Sequence, residues 1–165
     1  MTTETILDWI SKQPPIHISN HEQEVCILYQ ELIDRKSMVF CNGVPYIWTG
    51  TYFQCVVDQD ISMILTNLIC EVDRVELNPY TPKTVYRKLC VDSRLQVDIE
   101  GEAEKNRMYI NIPNGIYDIA TQQLIPHDVE RKFNYDSISN TSWVQLSSKH
   151  LHSETLLRVA WGLKS

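Results

Sequence analysis

Arg107-Met108-Tyr109-Ile110-Asn111-Ile112-Pro113-Asn114-Gly115-Ile116-Tyr117-Asp118-Ile119-Ala120-Thr121-Gln122-Gln123-Leu124-Ile125-Pro126-His127-Asp128-Val129-Glu130 is the stretch on which the fold turns. Met108, Ile110 and Ile112 alternate with Tyr109, Asn111 and Pro113, the period-two pattern of a strand with one buried face. Asn114-Gly115 is a strong hairpin signal, because a type I′ turn needs positive φ at both central residues and these two tolerate it. Ile116, Tyr117 and Ile119 form the return strand. Thr121-Gln122 closes it, and Gln123-Leu124-Ile125 leads into Pro126-His127-Asp128. Nothing here is chemically reactive, so the stretch reads as scaffold.

Working outward toward the N-terminus, Asp98 to Glu104 is acidic and reads as loop. Before it, Thr81 as N-cap with Pro82 at the first helical position opens a helix to about Leu95. Asn78-Pro79-Tyr80 is the break from a preceding helix, capped by Asp60 and carrying Ile61, Ile64, Leu65, Leu68, Ile69 and Val72. A three-strand meander comes earlier still: Met38–Cys41, the Asn42-Gly43 turn, Val44–Trp48, Gly50, then Tyr52–Val57. The N-terminal part is helical. Ile6, Trp9 and Ile10 mark a short amphipathic helix ended by Pro14-Pro15. Ser19 and Glu22 form a capping box before a helix to about Lys36, whose one face carries Val25, Leu28, Tyr29, Leu32 and Ile33. The fold class is α+β: helical N-terminus, antiparallel meander, then a helix pair followed by a β-hairpin. Residues 1–136 read as one domain and 137–165 as a tail or link. There is no internal repeat or low-complexity tract.

Helix, break, helix, hairpin is also the order of a winged helix-turn-helix. Lys83, Arg87 and Arg94 recur at spacings of four and seven, so on one helix they fall on nearly one line. That line is where a winged helix presents its recognition face, with Asn114 at the tip of the wing. The competing reading is a solvated basic face.

At 165 residues, 43% of them hydrophobic, the chain can bury a real core. Its net charge of -6 gives no general attraction to nucleic acid, so any such contact needs a local patch. Cys26, Cys41, Cys55, Cys70 and Cys90 are odd in number and contain no C-x-x-C pair, which predicts buried reduced thiols rather than a disulfide framework. No apolar run is long enough to span a membrane.

The Arg107–Glu130 words resemble a segment of the phage, plasmid and poxvirus primase-helicases whose motor is a superfamily-three helicase. The pattern there runs strand, Asn-Gly, apolar, Asp, apolar, Thr-Gly, Leu, Pro-His-Asp. It is carried here by Ile112, Asn114, Gly115, Asp118, Thr121, Leu124, Pro126, His127 and Asp128, with Gln122 where the family usually has Gly. Upstream, Trp48-Thr49-Gly50 with Tyr52-Phe53 resembles that domain's Trp-x-Gly-x-x-Trp hairpin. Phe133-Asn134-Tyr135-Asp136 resembles the run preceding the motor. The resemblance covers about Met38 to Asp136 and implies a non-catalytic pre-helicase domain that positions DNA or packs helicase subunits. It implies DNA, replicative helicase or primase subunits and further copies of the chain as partners, in the cytoplasm of a cell hosting a phage or mobile element.

Chemistry-bearing groups are sparse. A helicase motor needs Gly-x-x-x-x-Gly-Lys-Ser/Thr to cradle phosphates; Gly162-Leu163-Lys164-Ser165 is only a faint echo. We therefore expect no catalytic residues, no cofactor and no metal. Asp58 and Asp60 could hold a divalent ion for a primase or nuclease, but capping the next helix claims them first. His150 and His152 lack companions at zinc-ligand spacing, and His127 reads as a hydrogen-bonded loop residue. Tyr46, Trp48, Tyr52 and Phe53 could stack bases, although strand alternation sends half of them into the core. The alternative functions are an adapter or helicase inhibitor that never touches DNA, and the metal-dependent enzyme on Asp58 and Asp60.

Overall fold

Thr3–Ser11 forms α1 because Ile6 and Trp9 recur on one face, and both are buried. In the computed structural model, which describes residues 3–56 and 61–131, the chain is α+β and divides into two compact units. The first unit comprises the chain up to Ile47 together with Cys55–Val97; the second comprises Trp48–Gln54 and the chain from Asp98 onward. None of the described helices is long and apolar enough to cross a membrane.

In the first unit, α1 is followed by an extended segment in which Ile16 N–H donates to the Leu68 carbonyl and the Ile16 carbonyl accepts from Cys70 N–H, a parallel bridge between Ile16 and Ile69. A short 3-10 turn, His21–Gln23, leads into α2, Glu24–Arg35. The 3-10 turn is capped by Asn20, whose Oδ1 accepts from Glu22 N–H, and not by the expected Ser19, while α2 itself follows Gln23 without a side-chain cap. Lys36 ends α2 in the left-handed region at φ 52°. Strands β1, Met38–Cys41, and β2, Val44–Trp48, pair antiparallel with Phe40 opposite Pro45. Their turn is of the expected kind, with Asn42 at φ 52° and Gly43 at 79°. Strand β3, Phe53–Cys55, completes a sheet in the order β1-β2-β3, and the division into units falls within the β2–β3 hairpin.

Helix α3 is Ile61–Leu68, shorter than expected, because the chain leaves it to join the Ile16 ladder. Val72, expected on its apolar face, is consequently 78% exposed. Helix α4 is Thr81–Val91, opened by Pro82 in its first turn. Thr81 is its first residue and not its cap; its buried hydroxyl donates instead to Glu24 Oε1 on α2. The core of this unit joins α1 through α4 around Ile6, Leu28, Leu32, Phe40, Ile47, Ile64, Leu65, Ile69, Val85 and Leu89, all nearly or fully excluded from solvent.

In the second unit, the acidic run expected as loop is a helix, α5, Ile99–Lys105. Glu100 and Glu102 near its start and Lys105 at its end complement the helix dipole. Strands β4, Tyr109–Ile112, and β5, Gly115–Asp118, form the expected hairpin, and a third strand not anticipated, β6, Gln123–Ile125, pairs with β5. Ile112 lies opposite Gly115, so the turn residues are Pro113 and Asn114. Asn114 is not among the residues with positive φ. The expected type I′ turn on Asn114-Gly115 is therefore replaced by a turn whose first central φ is fixed by the proline ring. Asn111, expected on a solvent face, is fully buried, and its Nδ2 donates to the Thr51 carbonyl at 2.8 Å.

The five cysteines are free thiols, Cys26 exposed and the others half-buried, rather than all buried. Asp58, Asp60, Phe133–Asp136, His150, His152 and Lys164 lie outside the described residues.

Candidate nucleic-acid interface

Helix α4 divides cleanly into two faces. Val85 and Leu89 point into the core with no exposure, each burial contributing roughly 1.5–3 kcal/mol. That anchor fixes the rotation of the helix, so Lys83, Thr84, Arg87, Lys88 and Val91 must face solvent, as they do. Within Thr81–Val91 there are three cations and no carboxylate. Tyr80, 73% exposed, stands at the N-terminal end of the same face. Lys83 and Arg87 make no ion pair or hydrogen bond among the described residues. Lys88 lies over the Tyr29 ring at 5.8 Å, beside a shallow recess of about 330 Å³ lined by Glu22, Gln23, Val25, Cys26, Tyr29 and Lys88.

Arg94 is not on this face. The expected helix to Leu95 ends at Val91, and Ser93–Leu95 is a separate 3-10 turn whose cap is Asp92. Asp92 Oδ1 accepts from Arg94 N–H at 2.9 Å and from its Nε at 3.0 Å, while Oδ2 accepts from Nη2 at 2.8 Å. The Tyr29 hydroxyl also donates to Oδ2. Arg94 and Tyr29 together hold the Asp92 carboxyl well below its usual range, and the carboxylate raises both partners in return. A guanidinium so engaged is a structural clamp between α2 and the end of α4. The line of Lys83, Arg87 and Arg94 is thus broken, and Lys88 is the cation that the sequence reading passed over. It lies at the edge of the exposed surface, one helical turn from Val85 and above the Tyr29 ring.

The winged-helix order meets two departures. A helix-turn-helix uses a turn of about three to four residues, whereas Ile69 to Tyr80 contains its own 3-10 turn, Asp73–Glu76. Helix α5 then stands between α4 and the hairpin, and the hairpin belongs to the second unit.

The residues that carry the family words are placed within the second unit as follows. Trp48 packs against Phe53, with ring centroids 5.2 Å apart and planes tilted by 52°. Gly50 turns the β2–β3 tip at φ 98°, where Thr49 N–H donates to the Tyr52 carbonyl. Asn114 is exposed at the β4–β5 turn, while Gly115 is buried. Asp118 Oδ1 accepts from the N–H groups of Ala120 and Thr121 and shapes the β5–β6 loop. Pro126 precedes His127, whose Nε2 donates to the Ile112 carbonyl at 2.8 Å, tying the exit of β6 to the end of β4. Of the four aromatic residues considered as a base platform, Phe53 is buried and Tyr46, Trp48 and Tyr52 are half-buried.

Residues 27–144 match the protein-family model described as D5 N terminal like. No curated protein matches the chain.

Proposed function

The chain belongs to the D5 N-terminal-like family, the N-terminal domain of phage and plasmid primase-helicases, and from that premise we propose that it is a non-catalytic replication module that lays the basic face of α4 against a DNA backbone. One observation carries the reading: in a chain of net charge -6, α4 gathers Lys83, Arg87 and Lys88 on one exposed face with no acidic residue between them. Phosphate contacts need such a concentration of cations, and they carry no base preference. Asn114, exposed at its turn, is a second contact of the same backbone-reading kind. The partners in this reading are DNA and the helicase or primase subunits of the same replication apparatus, in the cytoplasm of the host of a mobile element.

Fluorescence anisotropy with a labelled fork at low ionic strength tests it. Wild type should bind in the micromolar range or weaker, near the nonspecific values of roughly 10⁻⁴ to 10⁻⁶ M. Changing Lys83, Arg87 and Lys88 together to Ala should abolish that binding and leave the melting temperature near wild type, because none of the three is buried. Equal binding by wild type and variant would remove α4 from the interface.

The adapter reading is favoured by a different observation. Val72, just before the 3-10 turn after α3, and Val75, within it, are 78% and 86% exposed, and exposed apolar side chains suit a protein partner better than a phosphate. Retained capture of helicase or primase subunits by the triple variant, with no DNA binding by wild type, would favour it.

A further inference from the structure

We propose that His17, Cys70 and Asp73 form a divalent-metal site that takes Zn²⁺ through imidazole, thiolate and carboxylate, with water as the fourth ligand. One ligand atom from each residue lies within 4.8 Å of the others. All three belong to the first unit, and backbone hydrogen bonds hold them there. The Ile16–Ile69 bridge runs between them, with Cys70 N–H donating to the Ile16 carbonyl at 2.7 Å. Asp73 Oδ2 accepts from Ile18 N–H at 3.1 Å, which orients the carboxylate beside His17, whose Nδ1 is 3.5 Å from the same oxygen. Cys70 and Asp73 sit three apart on the turn that leaves α3, and His17 comes from the segment paired with that turn. Two ligands at short spacing plus a third from a distant strand are the usual construction of a zinc site. The sequence alone does not reveal it, because His17 and Cys70 are far apart and no motif joins them.

The ligand set selects the ion. A thiolate with an imidazole favours Zn²⁺ or Co²⁺ over Mg²⁺ and Ca²⁺, which prefer oxygen alone. Tetrahedral bonds of about 2.0–2.3 Å put ligand atoms roughly 3.4–3.7 Å apart. No gap therefore has to close by more than about an ångström. The His17 side chain, 71% exposed, is free to rotate by that much. Binding transfers the Cys70 thiol proton to solvent, one proton for each ion. The bound ion would fasten the segment after α1 to the turn after α3. His17 keeps the site open to water on its outer side.

Titration of the reduced, metal-free full chain with Co²⁺, followed by competition with Zn²⁺, tests the proposal. One equivalent should produce the thiolate-to-cobalt charge-transfer band and the strong visible absorption of tetrahedral Co²⁺, and Zn²⁺ should displace both. Cys70→Ser should lose the charge-transfer band, whereas Cys26→Ser should keep it. His17→Gln, at an exposed side chain that the fold does not need, should weaken binding at least tenfold, since even outer-shell losses cost 10- to 100-fold. Zn²⁺ should also raise the melting temperature of wild type and not that of His17→Gln. A charge-transfer band that survives Cys70→Ser, or binding that disappears only in a His150→Gln/His152→Gln variant, would overturn the assignment. So would the absence of any band at millimolar Co²⁺.

Discussion

A Cβ added at Gly115 would meet the Ile125 carbonyl oxygen at 2.7 Å and Leu124 Cδ1 at 2.9 Å. The glycine of the family word is therefore required by the strand packed beside it, where the sequence suggested the turn in front of it. Gly115→Ala should cost about 1–3 kcal/mol, the usual range for overpacking, and lower the melting temperature by several degrees. Wild-type stability in that variant would mean that β6 can retreat at no expense. Gln122, where the family usually has Gly, presents the opposite case. It sits at φ 57° in the β5–β6 loop, donating its N–H to the Asp118 carbonyl at 2.8 Å. A side chain in the left-handed region costs roughly 1–2 kcal/mol, which glycine avoids at the expense of a freer unfolded chain. Gln122→Gly should accordingly raise stability by about half to one kcal/mol in urea denaturation. A loss of stability would contradict this account of the loop.

The elements were most legible where one face is apolar at a regular period, as on α2 and α4, and in β1 and β2 with their Asn42-Gly43 turn. Their ends were less legible, because tertiary partners set them. Leu68 ends α3 by pairing with the segment after α1. Thr81 stands one residue inside α4, with Tyr80 at the cap position, and its hydroxyl donates to the buried Glu24 carboxylate. Glu24 Oε1 also accepts from Asn78 N–H at 3.0 Å, and Oε2 lies 3.0 Å from His21 Nδ1, so one side chain on α2 pins the approach to α4. Burial alone pushes this carboxyl up, but hydrogen bonds from Thr81, His21 and Asn78 outweigh it and hold the group below its ordinary value of 4.5. A carboxyl depressed in this way adds stability in full above its unfolded value and loses it as pH falls through the folded value. Glu24→Gln keeps the acceptor oxygen and removes the charge. The variant should be less stable than wild type near neutral pH, and the difference should shrink as pH drops below about 4.5. Urea denaturation across that window measures it; a difference independent of pH would assign the effect to shape alone.

For the whole molecule, composition argued against nucleic acid and one helix argues for it, so the balance between a net charge of -6 and the α4 face decides the outcome. The sequence located Lys83 and Arg87 through their spacing of four from each other on one helix. It misplaced Arg94 because the helix was carried four residues too far, past the point where Asp92 ends it and claims the guanidinium. That difference separates two interfaces in a measurement of binding against salt. Each phosphate-neutralising cation contributes about -0.9 to the slope of log K against log salt on duplex DNA. An interface of Lys83, Arg87 and Lys88 should thus give a slope of roughly -2.7, and each single change to Ala should reduce its size by about one unit. Arg94→Ala should leave the slope unaltered, because its charge is already spent on Asp92, while freeing the Asp92 and Tyr29 pair and lowering the melting temperature. If Arg94→Ala reduces the slope as Lys88→Ala does, the clamp opens on DNA, and the straight line of Lys83, Arg87 and Arg94 is the interface after all.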